Sequence, residues 1–363
     1  MGYRLLILTL AALLASTAAQ AQTYEETRTF RNEFPVTKDM TVDVINKYGT
    51  IEVTRGSGDS VRVRAEVIAS SSNSQRLRKL LNGVSVNMTG TDYSIRIATG
   101  FTSNPGFLLE DFKSLTGKLI TFENRLQVNY YISVPENINL KIDNRYGDVY
   151  LDDVPGRLFL SLSNGSLQAG NIDDADEIYL SFVNGSIGSI KSGTLNTSYS
   201  EVTLGGAQSL SLICRSSRLE IESLGTVKID SRRDKIFIGT VDNISIESYF
   251  SVISVESVSD EIDLKSLYGS FTVPLLYRNF SSVSVDSQFT DIYMGLQKGV
   301  TAGIDVRSSG AMISLPESEK IRTEILNSEK NESVMSGTIG DNNSASRLRA
   351  NLTKGSLTIF FNQ

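Results

Sequence analysis

The chain has 363 residues, no histidine and a single cysteine. Without histidine, neither a Ser-His-Asp nor a Cys-His arrangement can be assembled, and zinc or iron sites lose their commonest side chain. One thiol, Cys214, leaves no internal disulfide to staple the fold. Beyond the N-terminus no stretch approaches the roughly 20 apolar residues needed to cross a membrane, so no membrane span is expected. The chemistry left open is that of carboxylates, or of Lys and Arg acting as base on a polysaccharide. Either requires acids and bases gathered on one outward face.

Residues 1–21 place Arg4 before the apolar run Leu5 to Leu14 and close on Ala19-Gln20-Ala21. This is the pattern of a secretory signal cleaved before Gln22, which directs the chain to the periplasm, cell envelope or exterior. No cysteine follows the run, so lipid attachment at the new N-terminus is not expected. The full chain carries 35 basic and 41 acidic residues, a net charge of −6; loss of Arg4 with the signal makes it −7. That balance argues against nucleic acid as a partner and against a general attraction to anionic lipid.

What the chain has in abundance is one pattern: apolar-x-apolar, a small or polar turn, then apolar-x-apolar. The turn centres fall at Gly147, Gly165, Gly185, Ser200, Ser217, Asp234, Ser251, Gly269, Thr290 and Gly310, with an earlier copy at Gly49. Five residues before the centres stand Ile142, Leu160, Leu180, Leu195, Leu212, Ile229, Ile246, Leu264 and Val285. Two after them, Val149, Leu167, Ile187, Val202, Leu219, Ile236, Ile253, Phe271, Ile292 and Met312 continue the register. Alternation at a period of two is strand geometry, and a repeat of about 18 residues is one coil of a stacked architecture. A lone coil buries about six apolar side chains at roughly 1.5–3 kcal/mol each. Ordering its backbone costs about 1–2 kcal/mol per residue, so coils must stack to fold.

The fold expected is therefore all-β: a parallel, single-stranded β-solenoid of about eleven coils, right-handed by the crossover rule. Residues 22–135 form a small N-terminal β-rich cap with the first repeat copy and a short helix from Ser74 to Leu81, stopped at Gly83. Repeats occupy 136–315. Residues 316–363 are an irregular segment, with one helical turn at Glu319 to Ile325, followed by a terminal coil at Leu352 to Phe361.

The segments Ile45-Asn46-Lys47-Tyr48-Gly49-Thr50-Ile51, Ile142-Asp143-Asn144-Arg145-Tyr146-Gly147-Asp148-Val149, Ser163-Asn164-Gly165-Ser166-Leu167 and Val183-Asn184-Gly185-Ser186-Ile187 resemble the turn repeats of the bacterial "putative adhesin" families. These include the auto-transporter adhesins with a head GIN domain. The resemblance covers most of residues 38–315 and implies an envelope-associated bacterial β-solenoid. It brings no catalytic residues. From Ser200 onward the Asn-Gly turn gives way to Tyr-Ser, Ser-Ser, Arg-Asp and Phe-Ser.

Three features of the repeats compete for a functional role. Cys214 belongs to a column of small side chains with Thr197, Ser231, Ser248, Ser266 and Ser287, which parity points inward beside the bend. A basic cluster of Arg215, Arg218, Arg232, Arg233 and Lys235 stacks like charges on adjacent coils, which destabilises unless Glu201, Glu220, Asp230 and Asp234, or an anionic partner, compensate it. Finally Phe250, Tyr268 and Phe289 form an aromatic ladder one residue before the bend, with Tyr199, Tyr48 and Tyr146 equivalent to them. Parity with the inward positions places these rings in the core; pointing outward, they would offer a platform for sugars.

The acidic run Asp173, Asp174, Asp176 and Glu177 has no known calcium spacing, so no metal and no cofactor is expected. The function these residues favour is a secreted or periplasmic, non-catalytic envelope scaffold or binding protein, its partner a glycan or envelope protein. The alternatives are a polysaccharide lyase or hydrolase using outward carboxylates and Arg or Lys, and a periplasmic partner in envelope stress signalling.

Overall fold

The computed structural model describes residues 23–102, 124–136, 138–317, 320–328, 331–340 and 345–362. The expected export signal lies outside the described residues. Among the described residues, apart from one helix, Ser74–Asn82, the regular structure is strand, joined in one long and mostly parallel sheet. Asn73 caps the helix by accepting from the backbone N–H groups of Gln75 and Arg76 at 2.8 and 3.1 Å. Gly83 ends it in a right-handed conformation (φ −81), not the left-handed one a glycine stop suggests.

Each repeat lies in parallel on the one before it. Leu158 stands opposite Leu140, Glu201 opposite Asn184, Arg218 opposite Glu201 and Lys235 opposite Arg218, a step of 18 residues and then of 17. We call each such unit a rung and name it by the residue at its bend. The column five residues before the bend, Ile142, Leu160, Leu195, Leu212, Ile229, Ile246, Leu264 and Val285, is buried almost completely. So is the column seven after it, Val154, Ile172, Leu224, Val241, Val258 and Leu276. These two lines of branched side chains hold the stack together, because burial is shared between neighbours.

Two bends lie elsewhere than the pattern places them. Gly185 stands opposite Val202, beyond the turn, and the bend of that rung is Val183, preceded by Phe182 at φ 55. The slip is two residues, so Ile178, Leu180 and Ile187 stay buried as expected. In the last repeat the slip is one. Gly310 is itself the left-handed residue (φ 69), Ala311 occupies the bend, and Ile313 pairs with Leu357 and packs on the core. Met312, expected inward, is consequently 75% exposed, since a one-residue shift exchanges the faces of a strand.

The ends are not stacked in chain order. Strands Thr41–Lys47 and Ile51–Arg55 make a true rung between Asn139–Arg145 with Val149–Leu151 on one side and Ser94–Phe101 with Asn124–Val134 on the other. Ser60–Ser71 then adds to Asn124–Val134, and Tyr24–Pro35 to Ser60–Ser71, both in antiparallel fashion. At the opposite end Arg347–Asn362 is not the terminal rung. It inserts between Ser282–Gln297 and the pair Ala302–Ser309 and Met312–Ser314, in parallel with all three. Glu332–Ile339 and Arg322–Asn327 close this end as an antiparallel pair, so of the helical turn expected at Glu319 to Ile325 the part from Arg322 to Ile325 is strand, while Glu319 lies outside the described residues.

Insertion makes the last strand a keystone. It buries Leu348, Leu352, Leu357 and Ile359, together worth roughly 6–12 kcal/mol, which matches the whole net stability of an ordinary domain. A chain ending at residue 345 is expected to lose cooperative thermal unfolding and to bind a hydrophobic dye. An unchanged melting curve by circular dichroism would show that Ser282–Gln297 and Ala302–Ser309 can close on each other directly.

Candidate functional site

The bend is where the repeats become chemically distinctive. In almost every rung the residue before the bend is left-handed: Tyr48, Tyr146, Asn164, Phe182, Tyr199, Ser216, Arg233, Phe250, Tyr268, Phe289 and Lys354 all have φ between 50 and 66. Its N–H donates to the next rung, as from Tyr199 to Arg215 O, Ser216 to Arg232 O and Arg233 to Tyr249 O, at 2.9 to 3.0 Å. The left-handed residue also breaks the alternation. In the Ser217 rung Cys214 is inward, Arg215 and Ser216 both lie towards solvent, and Ser217 is inward again.

This corrects the placement of the aromatic ladder. Phe250, Tyr268 and Phe289 are not core residues; they are 53, 38 and 39% exposed. Their rings stack with centroids 4.8 Å apart at both steps and planes within 10° and 17° of parallel. Phe182 and Tyr199 form a second stack at 5.0 Å, and Tyr48 and Tyr146 a third at 5.5 Å. An open platform does not follow either, because stacking covers both faces of Tyr268 and one face each of Phe250 and Phe289, leaving chiefly ring edges, the positive rim of the aromatic quadrupole, towards solvent.

Inside the bend two kinds of support succeed one another along the stack. In the Gly49 and Gly147 rungs Asn46 and Asn144 are buried and brace the turn; Asn144 Nδ2 donates to Gly49 O and Asp148 O at 3.0 and 3.1 Å. A Cβ on Gly147 would fall 1.9 Å from Gly49 O, so the close approach demands glycine. From Val183 onward the side chain of the following bend takes over. Val183 N–H donates to Ser200 Oγ, Ser200 N–H to Ser217 Oγ, Ser217 N–H to Asp234 Oδ1 and Asp234 N–H to Ser251 Oγ, at 2.7 to 3.3 Å. Beside this line run the small buried residues Thr197, Cys214, Ser231, Ser248, Ser266 and Ser287, inward as their parity requires. Burial pushes the Cys214 thiol up to about 12, so it is a packing group and not a nucleophile.

The basic cluster divides into two parts. Arg215 grips Asp230 with both ends of its guanidinium, at 3.0 and 2.9 Å, and donates to the carbonyl of Cys214 at 2.8 Å. The same contact with Asp230 raises its pKa further. Arg218 pairs with Glu220 at 2.7 Å and Glu201 at 3.5 Å and lies over the Phe237 ring at 5.1 Å. Among the described residues, the side chains of Arg232, Arg233 and Lys235 make no ion pair or hydrogen bond, and all three are exposed.

Asp234, which lies among them in sequence, turns inward. Besides Ser217 N–H it accepts from Arg232 N–H and from the Ser231 hydroxyl, at 2.6 and 2.7 Å. Burial raises its pKa above the usual aspartate value, against those hydrogen bonds and the nearby Arg215 charge. The line of bend side chains was not foreseen from sequence, although the run Ser200, Ser217, Asp234, Ser251 in one register was its signal.

Beside the three free cations lies an apolar row. Arg232 stands opposite Tyr249, and Arg233 and Lys235 occupy the positions of Phe250 and Val252 in the next rung. Tyr249, Phe250 and Val252 are all exposed. Further along, Lys354 Nζ sits 4.9 Å from the Phe289 ring centroid. The acidic run is arranged differently. Asp174 pairs with Arg157 at 3.3 Å, Asp173 and Asp176 face solvent, and among the described residues no three His, Cys, Asp or Glu side chains gather as metal ligands would.

No family profile and no curated protein matches the chain. Solved structures do. One, named as a "putative adhesin" from Bacteroides fragilis, is 10% identical over 73% of this chain and 96% of its own, with a TM-score of 0.35. A "putative lipid binding protein" from Parabacteroides distasonis is 10% identical over 74% and 96%, with a TM-score of 0.29. A "putative cell adhesion protein" from Clostridium sporogenes is 10% identical over 94% and 100%, with a TM-score of 0.19.

Replacing Asp234 with serine restores the residue of the neighbouring bends and keeps an acceptor for Ser217 N–H. A buried carboxyl with a raised pKa holds its proton more tightly folded than unfolded, so its contribution is greatest below the ordinary aspartate pKa and is lost as pH rises through the folded one. Asp234→Ser should therefore melt higher than the wild type at pH 7, and the gap should shrink on acidification. A gap that widened as pH fell would show the carboxylate, not the acid, to be the stabilising form.

Proposed function

We propose that this chain is an exported, non-catalytic β-solenoid of the bacterial envelope that binds an anionic partner along its bend. On this reading residues 22–135 form a cap, 136–315 a repeat body and 316–363 a closing segment. The observation that carries the binding role is the division of the basic cluster: Arg215 and Arg218 are neutralised by Asp230, Glu220 and Glu201, while Arg232, Arg233 and Lys235 are left exposed beside one another. Like charges on adjacent strands cost stability. Keeping three of them without a carboxylate in an acidic protein is explained by a partner that supplies the anions. A binding role also fits how the acids here are used. Asp230 and Glu220 are tied to arginines and Asp234 to backbone amides, so none is poised to transfer a proton to a substrate.

Arg215 is unsuitable for a test, since its guanidinium also braces the Cys214 carbonyl. The informative variant changes Arg232, Arg233 and Lys235 together to serine. Three exposed charge contacts at about 0.5 kcal/mol each amount to about a tenfold loss of affinity for a polyanion such as polygalacturonate, with an unchanged β-type circular dichroism spectrum. The wild-type affinity should fall as salt rises. Equal binding by the two proteins to every anionic probe, at low and high salt alike, would remove the cluster from the function.

A further inference from the structure

Resting on that reading, the partner class can be named. On the three outward columns of the bend, the five rungs from Asp234 to Gly355 present Arg232, Arg233 and Lys235 at one end and Lys354 at the other. Between them lie Tyr249, Phe250, Val252, Tyr268 and Phe289, all exposed. On these three columns four cations face one carboxylate, Asp291, in a protein whose total charge is negative, and Glu247 at the margin accepts from the Tyr249 hydroxyl at 3.2 Å. This is an amphiphilic strip with basic ends, about 20 Å long at the usual strand spacing. Tyrosine and phenylalanine edges flanked by Lys and Arg are the chemistry of a surface that rests in the headgroup layer of a bilayer.

We propose that this strip docks the protein on a membrane surface rich in anionic lipid. Two observations favour lipid over a glycan. Stacking at 4.8 Å takes both faces of Tyr268 and one face each of Phe250 and Phe289, so no run of open ring faces is left for successive sugars, whereas the ring edges form a continuous exposed row. The strip also joins charge to apolar surface, with Val252 as well as the rings exposed, and a glycan would leave that apolar part unused. The overall negative charge opposes approach in most orientations, but beyond a Debye length of about 8 Å it is screened, and the bend is the face that can land.

The conformation of the ladder supplies a fold-preserving variant. Bulky residues are rare at positive φ, whereas asparagine adopts it readily and does so in this same column at Asn164. Phe250→Asn with Phe289→Asn should thus keep the bend while taking two of the three ladder rings out of the apolar strip. Phe182→Asn with Tyr199→Asn, a stack with no free cations beside it, is the control.

The mature protein is mixed with vesicles of phosphatidylcholine alone or with about a third phosphatidylglycerol, and sedimentation is measured at low and high salt. Soluble glycerol phosphate and polygalacturonate serve as competitors. Binding is expected only to the anionic vesicles, reduced at least about tenfold by the Phe250/Phe289 pair and by the serine triple variant, unchanged by the control pair, and not displaced by glycerol phosphate. Equal binding to neutral vesicles, or an unaffected Phe250/Phe289 variant, would overturn the proposal. Binding to polygalacturonate with none to vesicles would overturn it while leaving the anionic-partner function standing. No binding to any anionic probe would overturn both.

Discussion

One backbone requirement organises this protein: each rung must turn at a residue in the left-handed conformation. For an L-residue other than glycine or asparagine that conformation costs about 1–2 kcal/mol, and here it recurs along most of the stack. The consequence is geometric. The left-handed residue inserts an extra half-step into the alternation, so two successive side chains face out and the next faces in. All that is chemically distinctive lies at that break. The Asn and Ser braces sit on its inner side, and the aromatic stacks and unpaired cations on its outer side. Stacking offsets the backbone cost at the aromatic positions, since parallel rings contribute about 0.5–1.5 kcal/mol per pair beyond the area they bury.

The same break explains what could and could not be read from the chain. Periodicity of two locates inward residues wherever the backbone is extended, and Ile142, Leu160, Leu195 and Leu212 are where it puts them. It fails at Phe250 because the count through the bend assumes an extended residue there. It fails at Met312 because Gly310 is the left-handed residue rather than the bend itself, a distinction of one residue that the Ser-Gly sequence does not carry. Gly185 is instructive in the opposite way. Its Asn-Gly-Ser signature is a good turn, yet the turn lies at Phe182-Val183, where the rung can align with Tyr199-Ser200. Register with the neighbouring rung outweighs local turn preference.

Asp234 shows what the bend line costs when its side chain is charged. Serine at this position accepts one N–H from the preceding rung and donates to a carbonyl two residues back, as Ser200, Ser217 and Ser251 do. Aspartate can only accept. It gathers three donors, and burial still raises its pKa. Its neighbours in sequence are the unpaired Arg232, Arg233 and Lys235, so the rung with the most exposed positive charge is also the one with a buried carboxylate beneath it. The carboxylate faces inward and leaves those cations available on the surface.

The ends determine which surfaces remain for partners. A parallel stack closed by an ordinary strand would present a bare ladder and recruit other chains. Here each end finishes in an antiparallel pair, and the outermost N-terminal strand, Tyr24–Pro35, carries Glu25, Glu26, Arg28, Arg31 and Glu33. Mixed charge of this kind on an edge discourages pairing in register with a copy. The stack is further locked near its ends by out-of-order insertion, since Thr41–Lys47 and Arg347–Asn362 each have parallel neighbours on both sides. Extension at the ends is thus disfavoured twice, by charge and by topology. Along the sides the backbone groups are spent within the ladder, so recognition there must come from side chains. The bend from Arg232 to Lys354 combines exposed cations with exposed apolar groups, and its position follows from the same left-handed residues that allow the chain to turn.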